Sequence, residues 1–213
     1  MIRLLCLLLI VCACGAAELG RNVRVGNLIY AGDKTSVCFS DRFLTTVQAE
    51  AGINTDKRMT ATRLANADEL FASPFVVMTG QSSFTLPETE RTLLKQYLEN
   101  GGFLLASSSC SSQDFSASFR TAMTETFGDN CLQPIPNDHA LFSTLFPLSK
   151  VPLKSGGQAE FEGLFVDGRL ACLFSKEGLN DTAHTQGCCC CGGNEVKVAE
   201  EIVANSLVYA LVE

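Results

Sequence analysis

Two short apolar runs near the middle of the chain predict strands that are buried on both faces. They lie at 75–79 and 103–106, and turn-forming prolines and glycines flank them. Between them, residues 85–98 carry apolar positions at helical spacing behind a Thr-Leu-Pro-Glu segment that fits a capping box, with Pro87 in the first turn. A strand, a helix and a strand in this order predict parallel strands joined by a right-handed crossover.

The same alternation extends to both sides of this centre. Asp167-Gly168 between two apolar runs predicts a two-residue turn in a β-hairpin over 164–174. We therefore expect one α/β domain over 18–213, a three-layer sandwich whose central sheet is mainly parallel, with an added β-hairpin and a C-terminal helix. Further strands are predicted at 23–30, 55–61 and 131–135, and further helices at 40–52, 66–71, after the polar loop 107–112 as far as Gly128, and at 194–211.

The first 17 residues have the layout of a secretory signal. Arg3 precedes an apolar run that is too short to span a bilayer, and small residues follow it. We expect cleavage after Ala17, and hence a periplasmic or extracellular protein without a membrane span. The alternative is a bacterial lipoprotein signal in which Cys14 becomes the lipidated first residue.

Composition narrows the classes of partner. The chain has 213 residues, is 46% hydrophobic and carries a formal charge of −7. This composition favours a folded globule over a disordered chain. A nucleic acid is an unfavourable partner for an acidic chain without clustered lysine and arginine. The classes of partner that remain are an unknown protein and a small-molecule ligand.

Eight cysteines would stay after cleavage, four of them in the run 188–191. Adjacent cysteines bond one another only with strain, so unstrained bonds from this run point outward. An extended segment would turn Cys188 and Cys190 to one side, where His184 or Cys172 could complete a structural zinc site. A redox role is a further possibility. The other interpretation is a set of disulfides to the remaining cysteines, which are Cys38, Cys110, Cys131 and Cys172.

Four segments carry a resemblance to a known family: FVVMTG at 75–80, LENGGFLL at 98–105, residues 115–120, and NDHALF at 137–142. They resemble the bacterial family called "domain of unknown function 4159". That family is similar to trehalose-utilisation (ThuA-like) and class I glutamine amidotransferase-like proteins. The resemblance covers roughly 23–211 and implies a flavodoxin-like or amidotransferase-like fold.

At the strand ends this chain departs from that family. Relatives often carry histidine where Gln81 stands, and acidic residues where Ser107, Ser108 and Ser109 stand. With Asp138, these residues form our candidate ligand loop. Because ionisable groups are replaced by serines and an amide, we expect a non-catalytic binding or accessory module.

The second hypothesis is a cysteine-dependent hydrolase or transferase. Cys110 lies between a predicted strand and a predicted helix, where amidotransferases carry their catalytic cysteine and doubly wound proteins place ligand loops. His139 follows a predicted strand and could serve as the base beside Cys110. The glycines that usually flank such an elbow are replaced by Ser108 and Ser112.

Overall fold

The computed structural model describes residues 22–36, 39–180 and 196–213. Within them, eight strands form one mixed sheet and five α-helices pack against it. The strands are β1 Val25–Tyr30, β2 Lys34–Thr35, β3 Thr60–Arg63, β4 Phe75–Gly80, β5 Phe103–Ser108, β6 Leu132–Pro134, β7 Phe161–Val166 and β8 Arg169–Ser175. The helices are α1 Arg42–Ala51, α2 Ala67–Phe71, α3 Glu88–Glu99, α4 Gln113–Phe127 and α5 Ala199–Val212.

The centre of the sheet is parallel. Its strands run in the order β3, β1, β4, β5, β8, and each pairs in parallel with the next. The predicted parallel pairing of the two central apolar runs is confirmed, with Phe75 opposite Phe103. Beyond β8, the strands β7 and β6 continue the sheet in antiparallel pairing.

Helices cover both faces of the sheet. Alternate residues of β4 separate two cores: Val77 packs with α1 and α5, and Val76 packs with α2, α3 and α4. Every residue of β4 except the last is buried. The continuous apolar run is therefore explained, because a strand covered by helices on both sides needs apolar side chains in both directions.

The predicted hairpin with a two-residue turn is confirmed. Asp167 and Gly168 connect β7 to β8 and both have positive φ, at 51° and 84°. Two consecutive left-handed residues form the turn whose twist matches that of the flanking strands. Aspartate tolerates this conformation better than most residues, and glycine adopts it freely.

Several predicted boundaries are wrong. The strand expected at 55–61 lies at β3, and Thr55 makes only an isolated bridge to Val23. The capping box before α3 does not form, because Pro87 is itself the N-cap residue and offers no side-chain acceptor. Helix α1 begins at Arg42, with Asp41 as its N-cap residue, two residues later than predicted. Helix α5 begins at Ala199, later than expected, and part of its predicted start lies outside the described residues.

Strand β2 is a feature that the hydrophobic pattern does not predict. It pairs antiparallel with the end of β1. Ser36, the residue directly after β2, forms hydrogen bonds with both β1 and β4. The side chain of Asn27 on β1 donates to the carbonyl of Ser36 at 2.9 Å, and the backbone N–H of Thr79 on β4 donates to its hydroxyl at 2.9 Å. Ser36 therefore bridges the middle of β1 to the carboxyl end of β4.

Candidate functional site

The carboxyl ends of β4, β5 and β8 lie side by side and gather most of the predicted ligand loop. Thr79 is paired with Ser107, and Ser107 with Ser175. Gln81 follows β4 directly, and its side-chain amide donates to the sulfur of Cys110 at 3.1 Å. The structure therefore brings together Gln81, Ser107, Ser108, Ser109 and Cys110, the residues that the sequence placed at this edge.

The three serines are engaged with the protein itself. Ser107 accepts a hydrogen bond from the backbone N–H of Leu179 at 2.9 Å. The hydroxyls of Ser108 and Ser116 lie 2.7 Å apart, and Asn180 donates to the hydroxyl of Ser109 at 3.1 Å. Buried hydroxyls need such partners, since an unpaired one costs about 1–3 kcal/mol. These bonds fix the loop after β8 and the start of α4.

Cys110 occupies a strained turn between β5 and α4. Its φ is 56° and its ψ is 28°, and the next residue, Ser111, also has a positive φ of 54°. Such conformations cost of order 1–3 kcal/mol for a residue with a side chain, and they cluster at functional sites. Cys110 is disulfide-bonded, so its sulfur is not a titrating thiol. No disulfide joins two described cysteines, because Cys131 and Cys172 are free thiols.

His139 lies far from Cys110. Its Nδ1 accepts from the backbone N–H of Leu141 at 3.2 Å, and its ring lies 5.4 Å from that of Tyr209. Tyr209 also contacts Phe103, the first residue of β5, whereas Cys110 follows the last. Six strand residues span roughly 16 Å, so the predicted pair of nucleophile and base is not assembled here.

Burial dominates the electrostatics of His139. It lowers the pKa of the imidazole, and the charges of Asp138 and Glu213 oppose that effect. A neutral ring whose Nδ1 accepts a hydrogen bond suits a residue that begins a short helical turn. Asp138 thus belongs to the surroundings of His139 and not to the ligand loop at the other end of β5.

Three of the proposed metal ligands, Cys188, Cys190 and His184, lie outside the described residues. The fourth candidate is Cys172. Cys172 is fully buried on β8, and burial raises the pKa of its thiol strongly. In the described ranges, no group of three or more histidine, cysteine, aspartate or glutamate side chains could hold a metal ion. The zinc hypothesis stays a prediction.

The crevice where the strand order reverses is occupied by the protein's own chain. From β1 the chain passes to β3 on one side and then returns to β4 on the other side. Open α/β sheets usually bind ligands outside the carboxyl ends of the strands at such a point. Here Ser36 bridges β1 to β4.

A groove beside β7 offers open space instead. One cavity of about 600 Å³ lies at the start of β7, and a second of about 330 Å³ adjoins it. We call the two together the β7 groove; both are lined by Asn137, Gln158, Ala159 and Phe161. The larger is also lined by Arg120, Pro134, Ile135, Glu160, Glu162 and Lys176, and the smaller by Phe142, Leu148, Ser149, Lys150 and Val151.

Two ion pairs line the larger cavity. Arg120 on α4 donates from Nε and Nη2 to one oxygen of Glu162, at 3.0 and 2.7 Å, and its guanidinium lies 4.9 Å from the ring centroid of Phe174. Lys176 donates to Glu160 at 3.2 Å, and this bond is the main reason that the lysine pKa is raised.

Glu177, the neighbour of Lys176 in the chain, adds a partly buried carboxylate close to this groove. Its Oε1 lies 3.8 Å from the ammonium of Lys176, whereas its Oε2 is buried without a hydrogen-bond partner. Burial raises the pKa of this carboxyl, and the charge of Lys176 works against that rise. A perturbed carboxyl beside a cavity is a common feature of functional sites.

Sequence reasoning missed this groove. It gave no functional role to Arg120 or Lys176, or to the glutamates Glu160, Glu162 and Glu177. The only available signal was the alternation of glutamate with an apolar residue at 160–162, which marks a strand with one charged side. Nothing in that signal shows that an arginine from α4 lies across the strand.

In the part of the chain that the structure describes, none of the helices has the length and hydropathy of a membrane span.

Comparison with known proteins agrees with the family resemblance of the four segments quoted in the sequence analysis. A search of curated proteins found no match. The model of the family described as "Domain of unknown function (DUF4159)" matches residues 27–211. This match covers the whole sheet except the first residues of β1, and it includes both the strand-end cluster and the β7 groove. The chain therefore belongs to the DUF4159 family.

Proposed function

We propose that this protein is an exported, non-catalytic module that binds a small ligand in the β7 groove. The observation that carries the proposal is a contrast between two places on the sheet. At the strand ends, the serine hydroxyls bind the protein's own loop and its α4 helix. In the groove, charged side chains line about 600 Å³ of open space. Cavities of about 300–1,000 Å³ with a few polar groups are typical ligand sites.

The strand order supports a finer assignment of the fold. The parallel strands β3, β1, β4, β5 and β8 follow the order of flavodoxin-like sheets, in which the second strand lies outside the first. We extend this to the amidotransferase-like scaffold that the sequence resemblance implies. On that scaffold the usual ligand crevice is bridged by Ser36, which favours a site elsewhere.

Export is part of the proposal. It is supported by the signal-like pattern of residues 1–17 and by the disulfide at Cys110, since disulfides persist in oxidising compartments. N-terminal sequencing of the protein recovered from the periplasm or medium tests it. A chain beginning at Glu18 supports cleavage after Ala17, and a blocked, lipid-modified Cys14 supports the lipoprotein alternative.

The groove can be tested without knowing the ligand. We suggest NMR screening of a small-molecule set against the ¹⁵N-labelled protein, with Gln158→Trp as the blocking variant. Gln158 is exposed and lines both cavities, so tryptophan fills space with little effect on folding. Gln133→Trp, on the exposed side of β6, is the matched control.

We expect compounds whose shifts map to the groove, and we expect Gln158→Trp but not Gln133→Trp to abolish them. Hits that cluster at Gln81 and Cys110 instead, or a screen with no groove shifts, would overturn the proposal.

One observation favours a cysteine-dependent enzyme as the second candidate. Cys110 lies in a strained turn directly before α4, with the amide of Gln81 donating to its sulfur. A reactive thiol there would need prior reduction of the disulfide and a base other than His139. Alkylation of the reduced protein across pH tests this candidate. A rate that follows an ordinary thiol pKa of about 8.5 would exclude it.

A further inference from the structure

The charges in the larger cavity of the β7 groove come in pairs of opposite sign. Arg120 and Lys176 supply two positive groups, and Glu160 and Glu162 supply two negative ones, so their formal charges cancel. The glutamates would repel a polyanion, and the arginine and lysine would repel a polycation. The favoured ligand is one that brings both signs, because it can exchange with the existing ion pairs without leaving a charge unpaired.

The cationic groups retain donors for a ligand carboxylate. The two bonds from Arg120 to Glu162 engage two of the five N–H groups of a guanidinium. The ammonium of Lys176 likewise carries more donors than its bond to Glu160 uses. Both side chains are about two-fifths exposed, so a carboxylate reaches them from solvent.

The anionic partner for a ligand ammonium lies close by. Glu160 is 83% exposed and lies 3.2 Å from the ammonium of Lys176. Opposite charges so close together match a ligand whose ammonium and carboxylate are attached to the same carbon atom. A longer zwitterion, such as a peptide with free termini, would hold its charges too far apart to meet both members of one pair.

Part of the lining of the adjoining cavity suits an apolar side chain, whereas Asn137, Ser149, Lys150 and Gln158 form its polar remainder. Its walls include Phe142, Leu148, Val151 and Phe161, and three of these four are buried in the hydrophobic core. A ligand head between the ion pairs can therefore place an apolar group against this surface. Burying such a group favours the complex because its apolar surface leaves water.

We infer that the β7 groove binds a free α-amino acid with a large apolar side chain. The α-carboxylate lies at Arg120 and Lys176, the α-ammonium lies at Glu160, and the side chain enters the cavity beside Phe142. This inference rests on the proposed function, since it names the ligand class for the same groove.

Titration with L-phenylalanine, followed by NMR and calorimetry, tests the inference. We expect saturable shifts in both cavities. N-acetyl-L-phenylalanine amide, phenylacetate and phenethylamine each lack one or both charges, and each is expected to bind at least about tenfold more weakly. Equal binding of the capped compound would show an adventitious apolar contact and would overturn the assignment.

Variants separate a charge effect from a folding effect. Arg120→Gln and Lys176→Gln are each expected to weaken binding about tenfold or more. The matched control is Arg91→Gln on α3, which removes a guanidinium paired with Glu125 away from the groove. Thermal unfolding of all three variants identifies any that fail to fold, and the two independent groove variants keep the test decisive.

The same titration and screen distinguish a failure of the amino-acid assignment from a failure of the proposed binding function. If L-phenylalanine causes no saturable shift while other compounds in the screen shift groove residues, the amino-acid assignment is wrong and the binding function stands. If no compound shifts the groove, both fail.

Discussion

Asn205 shows how much a single polar residue can contribute inside this fold. It is fully buried on α5, and its Oδ1 accepts from the backbone N–H groups of Leu145 and Phe146 at 3.1 and 2.7 Å. Its Nδ2 donates to the carbonyl of Phe146 at 2.9 Å. One side chain thus satisfies three backbone groups of the segment that leads to the smaller cavity of the β7 groove.

We expect Asn205→Ala to lower the free energy of unfolding by about 2–4 kcal/mol, because it leaves those three partly buried backbone groups without partners. Urea unfolding measures the change, and Asn54→Ala, at an exposed position in the loop after α1, is the control. A loss below about 1 kcal/mol would mean that the backbone finds water or other partners.

Glu177 gives a pH-dependent prediction. Burial raises the pKa of its carboxyl, so the folded protein holds the proton more tightly than the unfolded chain does. Its contribution to stability is therefore fully present below the usual value of 4.5 and is lost as the pH rises through the folded value. Glutamine stays neutral throughout and avoids this loss.

Glu177→Gln is accordingly expected to be more stable than the unmodified protein near pH 7, and this advantage should shrink on acidification. Urea unfolding at about pH 7 and about pH 4 measures the difference in free energy of unfolding between the two proteins. The measurement at about pH 4 is the internal control. A glutamine variant that is less stable at neutral pH would show that the contact with Lys176 outweighs the cost of burial.

At the scale of elements, the cap of α4 links a helix to the strand-end cluster. Ser112 accepts from the backbone N–H of Phe115 at 3.3 Å, and its hydroxyl also donates to the carbonyl of Gln81. The same residue therefore begins the helix and holds the end of β4. It lies directly after the strained turn at Cys110.

We expect Ser112→Ala to destabilise the protein by about 1 kcal/mol, the usual cost of losing an N-cap acceptor. Ser112→Asp keeps that acceptor and adds a charge that favours the helix N-terminus, so it is expected to restore most of the loss. Thermal unfolding compares the three proteins. An aspartate variant as unstable as the alanine variant would place the effect in the bond to Gln81 instead.

Elements defined by burial on two faces could be predicted from the sequence. Strands β4 and β5 carry unbroken apolar runs, and the hairpin turn at Asp167-Gly168 needs left-handed residues that the sequence supplies. Strand β2 could not be predicted, since its two residues, Lys34 and Thr35, are held by pairing with β1 and carry no hydrophobic period.

The candidate site likewise has a part that could be predicted from the sequence and parts that could not. The strand-end cluster was predictable because parallel strands end at one edge, which places Gln81 and Cys110 together. The pairing of Cys110 with His139 could not be judged, since the path of the loop after β6 depends on tertiary packing against Tyr209. The β7 groove depends on Arg120 crossing from a helix to Glu162, a contact between residues far apart in sequence.

For the whole molecule, Cys172 and Cys131 distinguish local opening from global unfolding. Cys172 is fully buried at the centre of β8, where it pairs with Leu104 on β5 and with Leu164 on β7. Cys131 is half-buried just before β6, at the end of the sheet. Burial raises both thiol pKa values, and that of Cys172 more strongly. A reagent reaches Cys172 only when the sheet separates.

We therefore expect peptide-resolved alkylation to label Cys131 in the native protein and Cys172 only at the rate of global unfolding. In added urea, the labelling of Cys172 should follow the unfolding curve measured by circular dichroism, because both report the same cooperative opening. Rapid native labelling of Cys172, with β5 and α5 still protected from hydrogen exchange, would mean that the hairpin of β7 and β8 opens independently. In that case the walls of the β7 groove would belong to a less stable unit than the parallel sheet.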